Sequence, residues 1–310
     1  MALQYDVMVV GNYSIDLIFT GLSDFPQLGK DTIGTGFDML PGEAYTPAVA
    51  MHRLGLKVGW AGDFGNDLLS RIALEFVRKE GLDESLFVIH DRPLRRVSAS
   101  ASFPEDRAFM TYYDEDPQPP AIASALPKAE TRALYLPGLC QDWVLDLFLS
   151  ELQERRIKLV MDGNLLGEPN IHDARVRRAI EACEVFLPNA AEARCLTGEN
   201  DLRQAARILG TLCPLVAIKD GARGAWGCQQ GQVIHMPAIP VKVLDTTGAG
   251  DCFSSGFVTA WLQGCSLVQC LQWGNIVGGL STQKWGGTGE RITAETVQQW
   301  LQYYNNSSFW

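Results

Sequence analysis

Few side chains in this sequence are suited to hold a transition metal. There are four histidines in 310 residues, and none are paired at the spacing of metal ligands. The eight cysteines are scattered and include no C-x-x-C pair. We therefore predict reduced core thiols and neither a zinc-binding nor a disulfide-stabilised domain. The residues concerned are His52, His90, His172 and His235, and Cys140, Cys183, Cys195, Cys213, Cys228, Cys252, Cys265 and Cys270.

Long hydrophobic runs and excess positive charge are also lacking. No apolar stretch reaches about 18 residues, and the first ten residues carry no basic segment, so we expect neither a membrane span nor a signal peptide. Lys and Arg total 26 against 36 Asp and Glu, a formal net charge of −10. This charge repels nucleic acids and anionic membranes. We predict a cytoplasmic protein with neither as a partner, in which backbone amides, helix ends or a metal would bind any phosphate.

Short apolar runs alternate with helical patterns along most of the chain. The runs, at residues 5–11, 57–61, 133–136, 157–161, 184–187 and 215–218, have the length of buried strands. The helical patterns are at residues 48–54, 67–80, 142–155, 174–183 and 202–209, then at 249–263, 267–283 and 294–303. This alternation predicts an α/β fold with a mainly parallel sheet that is covered on both faces.

Two segments interrupt this alternation. Residues 18–40 and 95–113 are rich in Gly, Ser, Thr and alternating apolar residues, which favours antiparallel strands. We predict that they form one small β-sheet, a lid that cannot fold alone, within a single domain spanning residues 1–310. The acidic, proline-containing segment 114–127 is predicted to be a linker or surface loop.

The most informative motif is the run D-T-T-G-A-G-D, which ends at Asp251 and precedes an apolar helical pattern. Thr247 suits the helix N-cap, and Gly248, Ala249 and Gly250 leave the first-turn amides uncovered. Free amides and the helix dipole bind an anion without any basic residue. We expect the dipole to lower the pKa of Asp251 and keep it ionised. A carboxylate beside an anion site suits a general base that takes a proton from an attacking hydroxyl.

Other nucleotide-binding motifs are absent from the sequence. It contains no G-x-x-x-x-G-K-[ST], and no dinucleotide fingerprint follows its first strand. The G-x-S-x-G motif of α/β-hydrolases is also absent. V-A-I-K, ending at Lys219, and D-F-G, beginning at Asp63, match protein-kinase motifs, but they occur in reversed order and without H-R-D. The missing P-loop motif and the reversed kinase motifs argue against those two classes, and Rossmann cofactor binding is disfavoured.

The D-T-T-G-A-G-D run resembles the C-terminal motif of the ribokinase-like (pfkB) family of carbohydrate kinases, and the resemblance extends over essentially the whole chain. It implies a ribokinase-like three-layer α/β/α sandwich with a small β-sheet lid. It also implies that Asp251 is the catalytic base and that the amides of Gly248, Ala249 and Gly250 form an anion hole. The implied cofactors are ATP and Mg²⁺, and a need for a monovalent cation such as K⁺ stays open.

Further stretches resemble the nucleotide and metal motifs of this family. Asn189 and Glu192 stand in an N-x-x-E pattern, which the family uses to organise Mg²⁺, here through water, and phosphate oxygens. The K-D-G-A-R-G run resembles the strand-to-hairpin turn beside the nucleotide. The residues that the resemblance assigns to ATP binding are Asn189, Lys219, Asp220, Gly221, Arg223, Gly224, Thr246 and Asn275.

The acceptor-binding residues of the family are matched less regularly. Asp16 has the position of a sugar-binding aspartate, and a carboxylate can accept hydrogen bonds from two neighbouring hydroxyls. Where the family has a second glycine and an asparagine, this sequence has Glu43 and Thr46. The added carboxylate disfavours an already phosphorylated sugar. The residues implied are Asn12, Ser14, Asp16, Gly42, Glu43, Thr46, Asn164 and Asp251.

The sequence thus predicts a kinase that transfers the γ-phosphoryl group of ATP to a hydroxyl of a small sugar or polyol. Two other functions stay open. One is a nucleoside kinase of the same fold, in which Tyr13, Tyr45 or Phe103 could stack on a base. The other is a non-catalytic sugar or nucleotide sensor, suggested by Glu43 and Thr46. A homodimer formed through the lid also stays open.

Overall fold

The computed structural model describes residues 3–103, 107–140, 143–164 and 167–306. The strands are β1 (Leu3–Val10), β2 (Tyr13–Thr20), β3 (Gly36–Glu43), β4 (Val58–Ala61), β5 (Asp63–Phe64), β6 (Val88–Ile89), β7 (Arg96–Ser102), β8 (Arg107–Tyr113), β9 (Ala129–Leu136), β10 (Lys158–Asp162), β11 (Val185–Leu187), β12 (Leu215–Lys219), β13 (Ala225–Gln229) and β14 (Gln232–Met236). The α-helices are α1 (Tyr45–Arg53), α2 (Leu68–Glu80), α3 (Ile122–Ala125), α4 (Trp143–Glu154), α5 (Ala174–Glu181), α6 (Ala190–Thr197), α7 (Leu202–Leu209), α8 (Ala249–Leu262), α9 (Leu267–Ser281) and α10 (Ala294–Asn306).

The main sheet has the strand order β14-β13-β12-β11-β10-β9-β1-β4. Neighbours from β4 to β12 pair in parallel, and the hairpin β13–β14 adds two antiparallel strands at the β12 edge. A parallel sheet with both faces covered needs continuous apolar strands, and the first four residues of β12 are at most 3% exposed. The mainly parallel sheet predicted from the alternating pattern is confirmed.

Helices cover both faces of the main sheet. One apolar core contains residues of α1, α2, α8, α9 and α10, and the other contains residues of α3, α4, α5, α6 and α7. This is the three-layer sandwich that the resemblance implied. Within the described part of the chain, no helix is both long and apolar enough to cross a membrane. Residue 142, the first residue of one predicted helix, lies outside the described residues.

The second sheet is small and has the order β3-β2-β7-β8. β2 pairs antiparallel with β3 and parallel with β7, and β7 pairs antiparallel with β8. The two segments form one small sheet as predicted, but its pairing is not wholly antiparallel, because the segments meet through the parallel pair β2–β7. β2 begins earlier than predicted, at Tyr13, β3 ends later, at Glu43, and residues 104–106 lie outside the described residues. It remains a prediction that this sheet acts as a lid, that it forms a dimer surface, and that residues 1–310 form a single domain.

The segment 114–127 differs from the predicted surface loop. Its second half forms the short helix α3, and Ile122 and Ala125 are each 1% exposed. The carboxylate of Asp63 also accepts a hydrogen bond from the Ala121 amide at 2.9 Å. The prolines led the sequence interpretation away from a helix, whereas the apolar residues one turn apart pack into the core.

Candidate active site

A polar cavity lies at the carboxyl ends of the parallel strands, where open α/β sheets bind ligands. It has a volume of about 390 Å³. Asp162 ends β10, Lys219 ends β12, and the glycine turn before α8 closes the third side. The lining residues are Glu43, Pro137, Gly138, Asp162, Asn164, Glu192, Lys219, Gly248, Gly250 and Asp251.

A second cavity, of about 410 Å³, has a mainly apolar lining. Ile239, Val241 and Phe253 contribute apolar side chains to it. Of the residues predicted to bind ATP, it contains Lys219, Gly221, Gly224, Thr246 and Asn275. Lys219 and Gly250 line both cavities, so the two spaces meet at these residues. An apolar space joined to a polar one matches the division of ATP into a flat base and a charged triphosphate.

The glycine turn before α8 is shaped by Gly248. This residue, and not Thr247 as predicted, is the N-cap of α8, with φ at +68° in the left-handed region. A Cβ on Gly248 would lie 2.7 Å from Cα of Gly287, so only glycine fits both the conformation and the space. Thr247 instead donates its amide and its hydroxyl to Oδ1 of Asp245, at 3.0 and 2.8 Å.

Asp251 lies in the first turn of α8 and lines the polar cavity. Burial raises its pKa to about 7, and the negative charge of Asp162 adds to this effect, while Lys219 opposes it. The prediction that the helix dipole lowers this pKa is therefore wrong, because desolvation outweighs the dipole. A carboxylate with a pKa near 7 is suited to accept a proton at neutral pH.

The carboxylate of Asp162 is buried and accepts four hydrogen bonds. Oδ1 accepts from Lys219 Nζ and from the Gly163 amide, the latter at 2.8 Å. Oδ2 accepts from Ser254 Oγ at 2.6 Å and from Tyr135 OH at 3.1 Å. Asp162 is 3% exposed. A carboxylate has about four acceptor sites, so this group has little capacity left for a metal ion.

Glu192, which the resemblance assigns to Mg²⁺, lies at the polar cavity. Its carboxylate lines the polar cavity, and burial raises its pKa. Asn189 is the N-cap of α6: its Oδ1 accepts from the Glu192 amide at 2.9 Å, while Glu192 Oε2 accepts from the Asn189 amide at 2.6 Å. Among the described residues, no three His, Cys, Asp or Glu side chains are grouped as a metal site. Mg²⁺ generally keeps several waters and uses one or two carboxylates together with substrate phosphates.

The turn after β12 brings together four residues predicted to bind ATP. Gly221 and Gly224 have φ values of +57° and +96°, and both line the apolar cavity. Asp220 is buried and pairs with the exposed Arg223, whose Nε lies 2.9 Å from its Oδ2. This pair braces the turn and is absent from the lining of the cavity. Asn275 lines the cavity and ties α9 to the end of β14 by donating to the carbonyls of Met236 and Pro237.

Asp16 lies on β2 next to the polar cavity. Ser14 Oγ donates to its Oδ1 at 2.7 Å. A Cβ on Gly42 would lie 2.3 Å from Asp16 Oδ2, so the glycine provides the room that this carboxylate occupies. Burial raises the pKa of Asp16. Ser14, Asp16 and Gly42 are thus brought together, as the resemblance implied for an acceptor site.

Glu43 ends β3 and projects its carboxylate into the polar cavity. Its φ is +53°, a conformation that suits glycine far better than a side chain. Its Oε1 accepts a hydrogen bond from Tyr113 OH, which joins the ends of β3 and β8. Burial raises the pKa of Glu43, while the hydrogen bond from Tyr113 and the charge of Arg96 oppose this. Non-glycine residues in such conformations are concentrated at functional sites.

The other predicted acceptor residues have different surroundings. Asn164 lines the polar cavity beside Gly138. Asn12 donates to Oδ1 of Asp116 at 3.3 Å and is absent from the cavity lining. Thr46 is 3% exposed, and its Cγ2 would lie 3.3 Å from a Cβ on Gly248, so it packs behind the glycine turn.

Sequence reasoning missed Tyr113, Ser254 and Tyr135. Ser254 lies three residues after Asp251 on α8, and that spacing places two side chains on one face of a helix, so it could have been found. Tyr113 and Tyr135 reach the site from β8 and β9 through tertiary contacts, and no local pattern marks them.

Known proteins match the chain along most of its length. The model of the pfkB family of carbohydrate kinases matches residues 4–293. A ribokinase from Bacillus subtilis is 25% identical over 305 residues, covering 96% of this chain and 99% of that protein. A cytidine kinase from Thermococcus kodakarensis is 26% identical over 287 residues, covering 91% and 97%. The structure of Arabidopsis thaliana ribokinase complexed with ribose and ATP has a TM-score of 0.81 at 19% identity, covering 97% and 99%.

The fold is therefore ribokinase-like, and the family match and the kinases among the relatives make the chain a phosphotransferase. The chain belongs to the pfkB family of carbohydrate kinases.

Proposed function

We propose that this protein transfers the γ-phosphoryl group of ATP to a hydroxyl of an uncharged sugar or polyol. The observation that carries the proposal is the meeting of an apolar and a polar cavity at Lys219 and Gly250, beside Asp251. A phosphoryl group at this junction would be in contact with both substrates.

Asp251 acts as the general base. Its carboxylate takes the proton of the acceptor hydroxyl, the acceptor oxygen forms a bond to the γ-phosphorus, and the bond to the leaving diphosphate breaks. The amides of Gly248, Ala249 and Gly250, at the N-terminus of α8, stabilise the charge that develops on the transferring group. Glu192 would hold Mg²⁺, positioned by its capping contacts with Asn189. Bound Mg²⁺ supplies charge neutralisation on the phosphate oxygens.

The polar cavity favours an acceptor that is rich in hydroxyls and free of negative charge. Glu43 and Asp251 line it, and Asp16 lies close enough to raise the pKa of both. Carboxylates accept hydrogen bonds from hydroxyls and repel phosphate or carboxylate groups on an acceptor. This supports a free sugar or polyol over a sugar phosphate.

A nucleoside is the second candidate acceptor, because one relative is named as a cytidine kinase. Two of the aromatic residues considered for stacking on a base are buried in the core, where they cannot contact a ligand. Tyr13 is 0% exposed and Tyr45 is 1% exposed. Phe103 stacks on Phe25, with the ring centroids 5.3 Å apart. The lining of the polar cavity therefore favours binding of a polyol over binding of a base.

The direct test is ATP consumption coupled to product detection across pentoses, hexoses, polyols and nucleosides. We expect at least one free sugar or polyol to be phosphorylated with a higher kcat/KM than any nucleoside. A nucleoside as the preferred acceptor would replace the proposed substrate class but keep the reaction. Binding without phosphoryl transfer for every compound would support the non-catalytic sensor.

A further inference from the structure

Lys219 is the only cationic side chain among the described residues that line either cavity. Its ammonium group lies against the glycine turn, since a Cβ on Gly250 would be 3.6 Å from Nζ. Every other charged group in these linings is a carboxylate, namely Glu43, Asp162, Glu192 and Asp251. A triphosphate that spans the junction would therefore meet one fixed positive charge.

The position of this ammonium group is fixed by two partners. Nζ donates to Asp162 Oδ1 and to Ser254 Oγ, the latter at 3.3 Å. Ser254 in turn donates to Asp162 Oδ2 at 2.6 Å, so the three side chains form a closed ring. An ammonium group has three N–H donors, and these contacts use two of them, which leaves one for a ligand. The Lys219 side chain is 12% exposed, as expected for a group at the base of a cleft.

Asp162 is the anchor of this ring. The Gly163 amide and Tyr135 OH complete its hydrogen bonds, so the carboxylate is fully occupied. It therefore has little capacity left to accept the proton of a substrate or to bind a metal ion. The Asp162 carboxylate forms an ion pair with the ammonium group of Lys219 and so fixes the position of that group.

We propose that Lys219 binds an oxygen of the γ-phosphoryl group during its transfer and that Asp162 and Ser254 position it for this task. The inference rests on the proposed phosphoryl transfer. In the step, the acceptor oxygen forms a bond to phosphorus, the bond to the nucleoside diphosphate breaks, and the acceptor proton goes to Asp251. Lys219 transfers no proton in this step. Its positive charge stabilises the negative charge of the phosphoryl group as that group moves across the junction of the two cavities.

The charge of Lys219 also acts on Asp251. It favours the ionised carboxylate and so opposes the rise in the pKa of Asp251 that burial causes. Loss of the charge should therefore move the acid limb of the pH–rate profile to higher pH. The pH profile therefore reports the charge of Lys219 at Asp251, and the binding of an ATP analogue reports its contact with the phosphate.

The test compares Lys219→Met, Lys219→Arg and the exposed control Lys128→Met. We expect Lys219→Met to lower kcat by about 10²–10³, the usual effect of removing one preorganised donor to a developing charge. We also expect its acid limb to shift upward, with less than about a threefold change in the KM of the acceptor. Lys219→Arg should return the acid limb to its wild-type position, and Lys128→Met should match the wild type in kcat and in pH profile.

Lys219→Met leaves the buried Asp162 without its cation and so carries a risk of misfolding. The double variant Lys219→Met/Asp162→Asn removes both charges and keeps a hydrogen-bonding side chain. We expect it to unfold at a temperature close to that of the wild type, by circular dichroism, and to keep the loss in kcat. A folded double variant with kcat within about threefold of the wild type would overturn the proposal. So would an unchanged acid limb in Lys219→Met.

Two outcomes distinguish this inference from the function on which it rests. If the wild type phosphorylates no acceptor in the panel, the proposed function fails before Lys219 is tested. If the wild type is active and the Lys219 variants behave like Lys128→Met, only the role of Lys219 fails.

Binding of a non-hydrolysable ATP analogue with Mg²⁺, measured by calorimetry, gives a readout that does not depend on turnover. We expect Lys219→Met to bind it more weakly than the wild type.

Discussion

Asp251 is the residue on which the proposed chemistry depends, because it lies beside the glycine turn proposed to bind the anion and has a pKa near neutrality. We predict that Asp251→Asn lowers kcat by ~10²–10⁴, the usual contribution of a general base. Binding of an ATP analogue should be largely unchanged. Steady-state kinetics and calorimetry measure the two effects, and near-normal turnover would contradict the assignment.

The pH dependence of the wild type follows from the same residue. A base works only when it is deprotonated, so activity should fall as pH drops through about 7, the pKa of Asp251, and level off above it. The acid limb of kcat/KM should be absent from the residual activity of Asp251→Asn. An acid limb near pH 4 in the wild type would show that the carboxylate is not desolvated in the active protein.

Glu43 should determine which acceptors the polar cavity excludes. We predict that Glu43→Gln raises kcat/KM for a sugar acid by about tenfold or more relative to the parent sugar, because like charges in a site cost on the order of several kcal/mol. The glutamine keeps a hydrogen-bond acceptor for Tyr113. The exposed Glu154→Gln serves as the control. An unchanged ratio would mean that Glu43 does not face the acceptor.

At the scale of single elements, the turn before α8 combines a left-handed backbone with close packing. We predict that Gly248→Ala lowers both the melting temperature and kcat, the latter by about 10² or more, because its Cβ would displace the glycine turn proposed to bind the anion. Gly264→Ala, after the other end of α8, is the matched control. Its φ is +79°, but no atom lies within 4 Å of its added Cβ.

Gly264→Ala should lower the free energy of unfolding by about 1–2 kcal/mol, because alanine is strained in the left-handed conformation. It should leave kcat unchanged. Thermal unfolding and initial rates measure the two effects separately. Equal behaviour of the two variants would show that the close approach of Gly287 to Gly248 does not matter.

Secondary structure was largely predictable from the sequence, because period and composition report burial directly. The apolar runs became β1, β4, β9, β10, β11 and β12, and the alternation in 95–113 became β7 and β8. The N-cap of α8 was not predictable, since Thr247 is a good cap by type but its hydroxyl is used by Asp245. The helix α3 was missed because prolines stand on both sides of it, and its apolar residues are recognised only from their packing in the core.

At the scale of the whole molecule, the net charge of −10 must be reconciled with a triphosphate ligand. We predict that ATP binds at least about tenfold more weakly in chelator than with Mg²⁺, a difference of about 1.4 kcal/mol or more. Adenosine, which carries no phosphate, should bind the apolar cavity equally well in both conditions. Calorimetry with the two ligands tests this, and equal ATP affinity with and without Mg²⁺ would contradict it.

The sequence by itself determined the alternation of strands and helices, the glycine turn and the identity of the carboxylate beside it. These are local properties, set by periodicity and by the conformations that glycine allows. Only the tertiary structure decided the pKa of Asp251, the ring of Lys219, Asp162 and Ser254, and the contact of Glu43 with Tyr113. The physical reason is that desolvation and charge interactions depend on groups brought together from distant parts of the chain, which no local pattern records.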